Sequence, residues 1–214
     1  MAAYVVDEQN VDAQWENGVE SRLTIDGRLQ QRVLRFGPGP AVREPGERQE
    51  LLYVVSGTGV LFLRGEEHPL EADNGILVLP GERYELRGPL LAVSVTAAAT
   101  GAERERVVSR FADRPEERAD EQRTFRVLHQ GDLTQFVGIV QPCRAPDHSH
   151  PYDEVGFILE GRGFAHVAGD STAIGPGFCF HLPPNEVHCI ENSGPGVMRI
   201  LGVFYPSGSP KQRG

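Results

Sequence analysis

The stretch HSHPYDE, residues 148–154, places two histidines and a glutamate at positions of one parity. In an extended strand successive side chains alternate between faces, so His148, His150 and Glu154 are expected to point to the same side. His188, thirty-four residues after Glu154, supplies a fourth ligand from another strand. Three neutral imidazoles and a carboxylate suit a borderline divalent ion, such as iron, manganese, nickel, cobalt or zinc. The sequence therefore predicts one divalent transition-metal ion, with coordination positions left open for chemistry.

The residues around these ligands form two spaced blocks. The first block reads His-x-His, three residues, Glu, six residues, Gly161. The second block consists of Gly177, Pro183, Asn185, His188 and Asn192. Together they resemble the two-part signature of the cupin family, with Pro142 and Asn185 where that signature has glycines. Asn tolerates the left-handed conformation that Gly usually supplies. The resemblance implies a small antiparallel, jelly-roll-like β-barrel (a double-stranded β-helix) with the metal inside it, bound by His148, His150, Glu154 and His188.

An internal repeat indicates that the chain holds two such units. A single shift of 104 residues superposes glycines, prolines and strand positions of the first half on those of the second, including Gly57 on Gly161 and Pro80 on Pro184. Such self-similarity predicts an all-β chain of two tandem antiparallel barrels, a bicupin. We expect a first barrel with an N-terminal arm in residues 1–100, a charged linker with a short helix in 101–123, and the metal-bearing barrel in 124–214.

The first copy lacks the imidazoles of the second. Under the 104-residue shift, Glu44, Gly46, Glu50 and Tyr84 take the places of the four ligands. Two carboxylates and a phenol fall short of the six or more oxygen ligands that hard cations usually take. We therefore predict that the first barrel is metal-free and serves to pack against the second.

Composition limits the classes of partner. The formal net charge of −9 argues against nucleic acid and anionic membranes, both of which call for a basic patch. The N-terminal sequence lacks the basic start and apolar stretch of a secretory signal. Three cysteines without C-x-x-C spacing fit a reducing compartment, so a cytoplasmic protein is expected. Exposed strand edges and the N-terminal arm make a homodimer the expected assembly.

The ligand set leaves three functions open, each with a small-molecule partner. The first is an oxygen-dependent, dioxygenase-like oxidoreductase. The second is a non-redox isomerase, hydrolase or decarboxylase that uses the metal as a Lewis acid. The third is a module that binds or senses a small ligand without turning it over. Arg144 is the candidate to bind a substrate carboxylate, and Tyr152 and Asp153 are candidates to move a proton.

Overall fold

The structure, a computed structural model, describes residues 4–99 and 106–211. These residues form antiparallel β-sheets, and their only helical elements are two 3-10 turns, Glu8–Asn10 and Phe111–Asp113. The predicted all-β, antiparallel class is therefore confirmed. None of the described residues forms a helix with the length and apolar character needed to cross a membrane. The described chain divides into a first unit, residues 11–113, and a second unit, residues 4–10 with 114–211.

Strands are numbered in chain order, and β1, Val5–Asp7, belongs to the second unit. The first unit contains β2 (Gln14–Glu16), β3 (Val19–Ile25), β4 (Gln30–Phe36), β5 (Pro40–Arg43), β6 (Arg48–Leu63), β7 (Glu66–Glu71), β8 (Asn74–Val78), β9 (Tyr84–Arg87), β10 (Leu90–Ala98) and β11 (Val108–Arg110). Their main sheet runs β11-β8-β6-β10-β4-β3-β2, and β5, β7 and β9 attach to it through β6 and one another. In β6, residues 49–54 are buried on both faces, as expected of a strand covered by core on each side.

The second unit is built from a seven-stranded and a four-stranded sheet. Its remaining strands are β12 (Glu117–Arg118), β13 (Arg123–Gln130), β14 (Thr134–Val140), β15 (Cys143–Arg144), β16 (Asp153–Glu160), β17 (Gly163–Val167), β18 (Asp170–Ile174), β19 (Phe178–Leu182), β20 (His188–Asn192) and β21 (Met198–Tyr205). The larger sheet runs β1-β19-β16-β21-β14-β13-β12 and the smaller β15-β20-β17-β18. One core cluster takes apolar side chains from both sheets, so the two sheets bury their apolar faces against each other.

Strand registers carry the 104-residue repeat into the structure. In the second unit Glu154 of β16 pairs with Leu182 of β19, and in the first unit Glu50 of β6 pairs with Val78 of β8. The last strands depart from this spacing. Glu154 pairs with Phe204 of β21, whereas Glu50 pairs with Thr96 of β10, so the corresponding residues of these last strands are 108 positions apart. The turn before β21 is longer by four residues. One ungapped shift therefore describes the chain only as far as β20.

The N-terminal arm and the linker are organised differently from the prediction. β1 pairs with β19, so residues 4–10 belong to the second unit and not to the first. Residues 108–110 form strand β11 on the edge of β8, followed by the 3-10 turn Phe111–Asp113, so the predicted short helix is wrong in the described part of the linker. Val107 and Val108 pack against the first core, and this tertiary contact outweighs the helical periodicity. The rest of that prediction, in residues 100–105, lies outside the described residues.

Candidate metal centre

Backbone hydrogen bonds hold the predicted ligands together. His148 and His188 form an isolated antiparallel bridge, with N–H···O distances of 3.0 Å and 2.9 Å in the two directions. The N–H of Asn185 donates to the carbonyl of His150 at 2.8 Å. Asn185 has a φ of 63°. This is the left-handed conformation expected at a position where the cupin signature has glycine. Because His188 begins β20 and Glu154 lies on β16, the loop that carries His148 and His150 meets two strands of the second unit at this point.

Hydrogen bonds also fix the tautomers of the three histidines. Each ring lies with its Nδ1 against a backbone carbonyl two residues away in sequence, and a carbonyl can only accept. Nδ1 therefore carries the proton, and the Nε2 lone pair is left for a metal ion, the usual arrangement of metal-binding histidines. The acceptors are the carbonyls of Pro146 for His148 at 3.0 Å, Tyr152 for His150 at 2.9 Å and Glu186 for His188 at 2.8 Å.

Three of the four predicted ligands form a tight group. One ligand atom each from His150, Glu154 and His188 lies within 4.8 Å of the other two. Nε2 of His150 and Oε2 of Glu154 are 2.9 Å apart, while Nε2 of His188 is buried without a hydrogen-bond partner among the described residues. His148 lies beside this group, its ring centroid 4.5 Å from that of His188. A buried, unpartnered imidazole nitrogen next to a carboxylate fits a divalent ion.

Burial and neighbouring charge shift the pKa values of the three imidazoles in different directions. Burial lowers the pKa of His148 and of His188, so both rings favour the neutral form that binds metal. Burial also acts to lower the pKa of His150, but its hydrogen bond to Glu154 and the charge of that carboxylate outweigh it, so the pKa is raised. In the metal-free chain His150 is therefore the first of the three to gain a proton as the pH falls.

The group lies in a cavity of about 100 Å³ in the second unit. The cavity is lined by the four predicted ligands and by a largely apolar wall that includes Phe125, Phe136, Phe180, Leu182, Ile200 and Phe204. Glycines make room for two of these rings. A Cβ at Gly156 would lie 2.0 Å from the ring of Phe180, and one at Gly202 would lie 2.3 Å from the ring of Phe136. Glycine is therefore required at both positions for this wall to form.

Tyr152, a predicted catalytic candidate, is buried at the same cavity and stacks on His150 with ring centroids 4.3 Å apart. Its hydroxyl donates to the carbonyl of Ser209 at 2.7 Å. Burial, with the charge of Glu154, raises the pKa of Tyr152 to about 12, so the phenol stays protonated. Pro210 also lines the cavity, and Lys211 pairs with Glu117 at 2.7 Å.

The other two candidates do not line the cavity. Asp153 is buried, but its Oδ1 lies 3.0 Å from Nε2 of His181, on the opposite face of β16 from Glu154. Arg144 is half-exposed and donates to Asp147 at 2.8 Å. The cation that does line the cavity is Arg123, at the start of β13. Arg123 is the last residue of the stretch 101–123 that was predicted to be a charged, solvated linker. The one sequence signal for its place at the cavity is its position directly before an apolar strand.

In the first unit, a buried hydrogen-bonded network takes the place of the ligands. Glu50, the counterpart of Glu154, is fully buried and accepts hydrogen bonds from Ser94 and from Tyr84, the latter at 3.0 Å. Nε of Arg43 donates to the Tyr84 hydroxyl at 3.0 Å, and Nη2 lies 3.6 Å from Oε1 of Glu50. Burial, then Glu50, raises the pKa of Tyr84 well above its usual value, which keeps the phenol a donor. A guanidinium thus neutralises the buried carboxylate of Glu50.

Comparison with known proteins supports the cupin superfamily. Residues 136–204 match the family model of the Cupin domain. An uncharacterized protein of Methanocaldococcus jannaschii is 27% identical over 82 residues, which is 37% of this chain and 66% of that protein, just under two thirds of its length.

Solved structures show the same fold at low sequence identity. AerE from Microcystis aeruginosa matches with a TM-score of 0.80 and 13% identity, over 91% of this chain and 96% of its own. A mutant of Bacillus subtilis oxalate decarboxylase matches with a TM-score of 0.78 and 12% identity, over 98% of this chain and 78% of its own. A further structure of that decarboxylase, described for its Mn(II) centers, has a TM-score of 0.78, 13% identity and coverage of 98% and 78%.

Proposed function

We propose that the second unit is a metal-dependent enzyme centre that acts on a small organic molecule, and that its reaction is an oxidation. The observation that carries the proposal is the group of His150, Glu154 and His188, with the Nδ1 atoms anchored on carbonyls and the Nε2 atoms facing one cavity. His148 is the proposed fourth ligand, because its ring lies against His188 and lines the same cavity.

A bound divalent ion would supply Lewis-acid chemistry or, for iron, manganese or nickel, reaction with dioxygen. The protein's own groups shape the space around the ligands. The apolar wall limits the water that contacts them, which strengthens electrostatic interactions there. The Tyr152 hydroxyl keeps its proton and donates a hydrogen bond to the Ser209 carbonyl, so Tyr152 contributes its ring, stacked on His150, to the wall of the site. Arg144 and Asp153 receive no role at the reacting atoms, because both lie away from the cavity.

A non-redox reaction is the second candidate. It is favoured by the likeness to oxalate decarboxylase, an enzyme with Mn(II) centers whose name states a decarboxylation. Manganese is accordingly one of the ions proposed here, together with iron, nickel, cobalt and zinc. Because the identity is only 12% and 13%, that likeness supports a metal in this fold and no particular substrate.

We also infer that the two units are tandem copies of one barrel, of which the first has lost its metal site. The matching registers of β16 with β19 and of β6 with β8 support this interpretation. The buried Arg43–Glu50 pair supports the loss of metal, because a divalent ion would have to displace a guanidinium already in contact with the carboxylate.

Turnover in air and under argon separates the candidate functions. The protein, loaded in turn with iron, manganese, nickel, cobalt or zinc, is screened for oxygen uptake with catechols, flavonoids and small keto acids. Oxygen uptake with release of an oxidised product supports the first proposal. Turnover that continues under argon supports the non-redox enzyme, and ligand-dependent stabilisation without turnover supports a binding module.

A further inference from the structure

Aromatic rings line the cavity beside the candidate metal centre. The ring of Phe136 lies 4.7 Å from that of Phe204 and 6.4 Å from that of Phe125, and Phe204 lies 4.5 Å from Tyr152. Phe180 completes the wall on β19. Such surfaces favour the apolar body of a ligand, since each ring removed from water adds favourable contact area.

The cavity offers little positive charge to an anionic ligand. Arg123 is the one lysine or arginine among the cavity-lining residues that the structure describes, and it is already paired with Asp120, with nitrogen–oxygen distances of 2.8 Å and 2.7 Å. A ligand with carboxylates at opposite ends of an aromatic ring would have to place its second charge against phenylalanine rings. Burying a charge without a partner is costly, so this cavity disfavours such elongated dianions.

Gly138 keeps the cavity open. It lies on β14 opposite Phe125, and the matching position of the first unit, opposite Ser21, holds Leu34. Leu34 is fully buried and fills its own unit's interior. A Cβ built on Gly138 meets nothing closer than the Ile200 carbonyl at 3.8 Å, an ordinary contact distance. The space in front of Gly138 is therefore space that a side chain occupies in the first unit.

We propose that this space receives the apolar body, about one ring in size, of a compound whose single oxygen-bearing end faces His150, Glu154 and His188. The inference rests on the proposed function and adds the substrate class to it. A dry cavity of about 150 Å³ lined by Leu, Ile and Phe binds benzene. This cavity measures about 100 Å³ but is open to solvent, so one ring can enter it and extend partly into the opening. Gly138 is then a specificity-determining residue, and dicarboxylates with their charges at opposite ends of a ring, such as terephthalate, are poor ligands.

The test compares benzoate with terephthalate on the full chain loaded with zinc, which has no redox chemistry, by calorimetric titration. Benzoate is expected to bind at least about tenfold more tightly than terephthalate, because the second carboxylate of terephthalate would be buried against the rings without a partner. Gly138→Leu should weaken benzoate at least about tenfold and change zinc affinity less than about twofold. Gly196→Leu is the matched control, because Gly196 is exposed with nothing within 4 Å of a Cβ, and it should bind benzoate as the unmodified chain does.

Gly138→Ala keeps the test decisive if the leucine variant does not fold, since the smaller side chain should weaken benzoate by an intermediate factor. Benzene binding to the metal-free protein, followed by its effect on melting temperature, separates this inference from the proposed function. If the protein binds no zinc but benzene raises its melting temperature, and this effect is lost in Gly138→Leu, the metal enzyme is refuted while the inference of an apolar binding cavity stands. A chain that binds zinc and prefers terephthalate, or whose Gly138 variants bind benzoate unchanged, overturns the substrate class and leaves the metal enzyme standing.

Discussion

Replacing Arg43 by methionine should destabilise the first unit by about 3 kcal/mol, the lower end of the ~3–5 kcal/mol range for breaking a buried ion pair. The Arg43 and Glu50 charges lie 3.6 Å apart, and unit charges at this distance attract by about 4–5 kcal/mol at an effective dielectric constant of about 20. The lower end applies because the Arg43 side chain is 22% exposed and Tyr84 and Ser94 still donate to the carboxylate.

The measurement is urea unfolding followed by circular dichroism, with Arg43→Met/Glu50→Gln as the matched double variant. Removing both charges should recover most of the loss, because no buried charge is left uncompensated. A loss below about 1 kcal/mol, or a double variant no more stable than the single one, would refute this account of the first unit.

Three further predictions concern the second unit. His150 has a raised pKa in the metal-free chain and gains its proton first as the pH falls, so zinc affinity should begin to fall above about pH 6.5; the melting-temperature difference between zinc-loaded and metal-free protein should be large at about pH 7.5 and mostly absent by about pH 5, and an undiminished difference would count against histidine ligands. Gly156→Ala should cost about 1–3 kcal/mol in urea unfolding, since its Cβ would overlap the ring of Phe180; an unchanged midpoint would mean that the ring moves freely. Tyr152→Phe should lower stability by about 1 kcal/mol through loss of its hydrogen bond to Ser209, with zinc affinity unchanged in a chelator competition, whereas a large loss of zinc would make the hydroxyl part of the metal centre.

The spacing of the ligands was the most informative part of the sequence. The alternating spacing of His148, His150 and Glu154 and the block around His188 identified four side chains that line one cavity. The single strand expected over residues 148–154 is wrong, because β16 begins at Asp153 and both histidines lie in the loop before it. The same parity rule places Asp153 on the opposite face from Glu154, where it pairs with His181, so its exclusion from the cavity was already contained in the sequence.

Other features depend on tertiary contacts that local patterns do not encode. The mixed charges and spaced apolar residues of the linker predicted a short helix. Residues 108–110 instead form β11, because β8 offers a free edge and Val108 packs against the first core. The pairing of β1 with β19 joins segments about 170 residues apart in sequence, and no local signal identifies that partner. Arg43 precedes Glu44, the counterpart of His148, so its Cβ is not on the face predicted for the ligands. It still reaches Glu50, because a long side chain is not confined to the face of its Cβ.

The most direct test of the metal centre is the metal content of the chain, measured by elemental analysis of protein purified without chelators. One divalent ion per chain is predicted, bound through His148, His150, Glu154 and His188. His188→Ala should abolish or strongly reduce occupancy, and Tyr84→Phe, at the matching position of the first unit, should leave it unchanged. Two equivalents per chain, or one equivalent that survives the loss of His188, would contradict a single metal centre in the second unit.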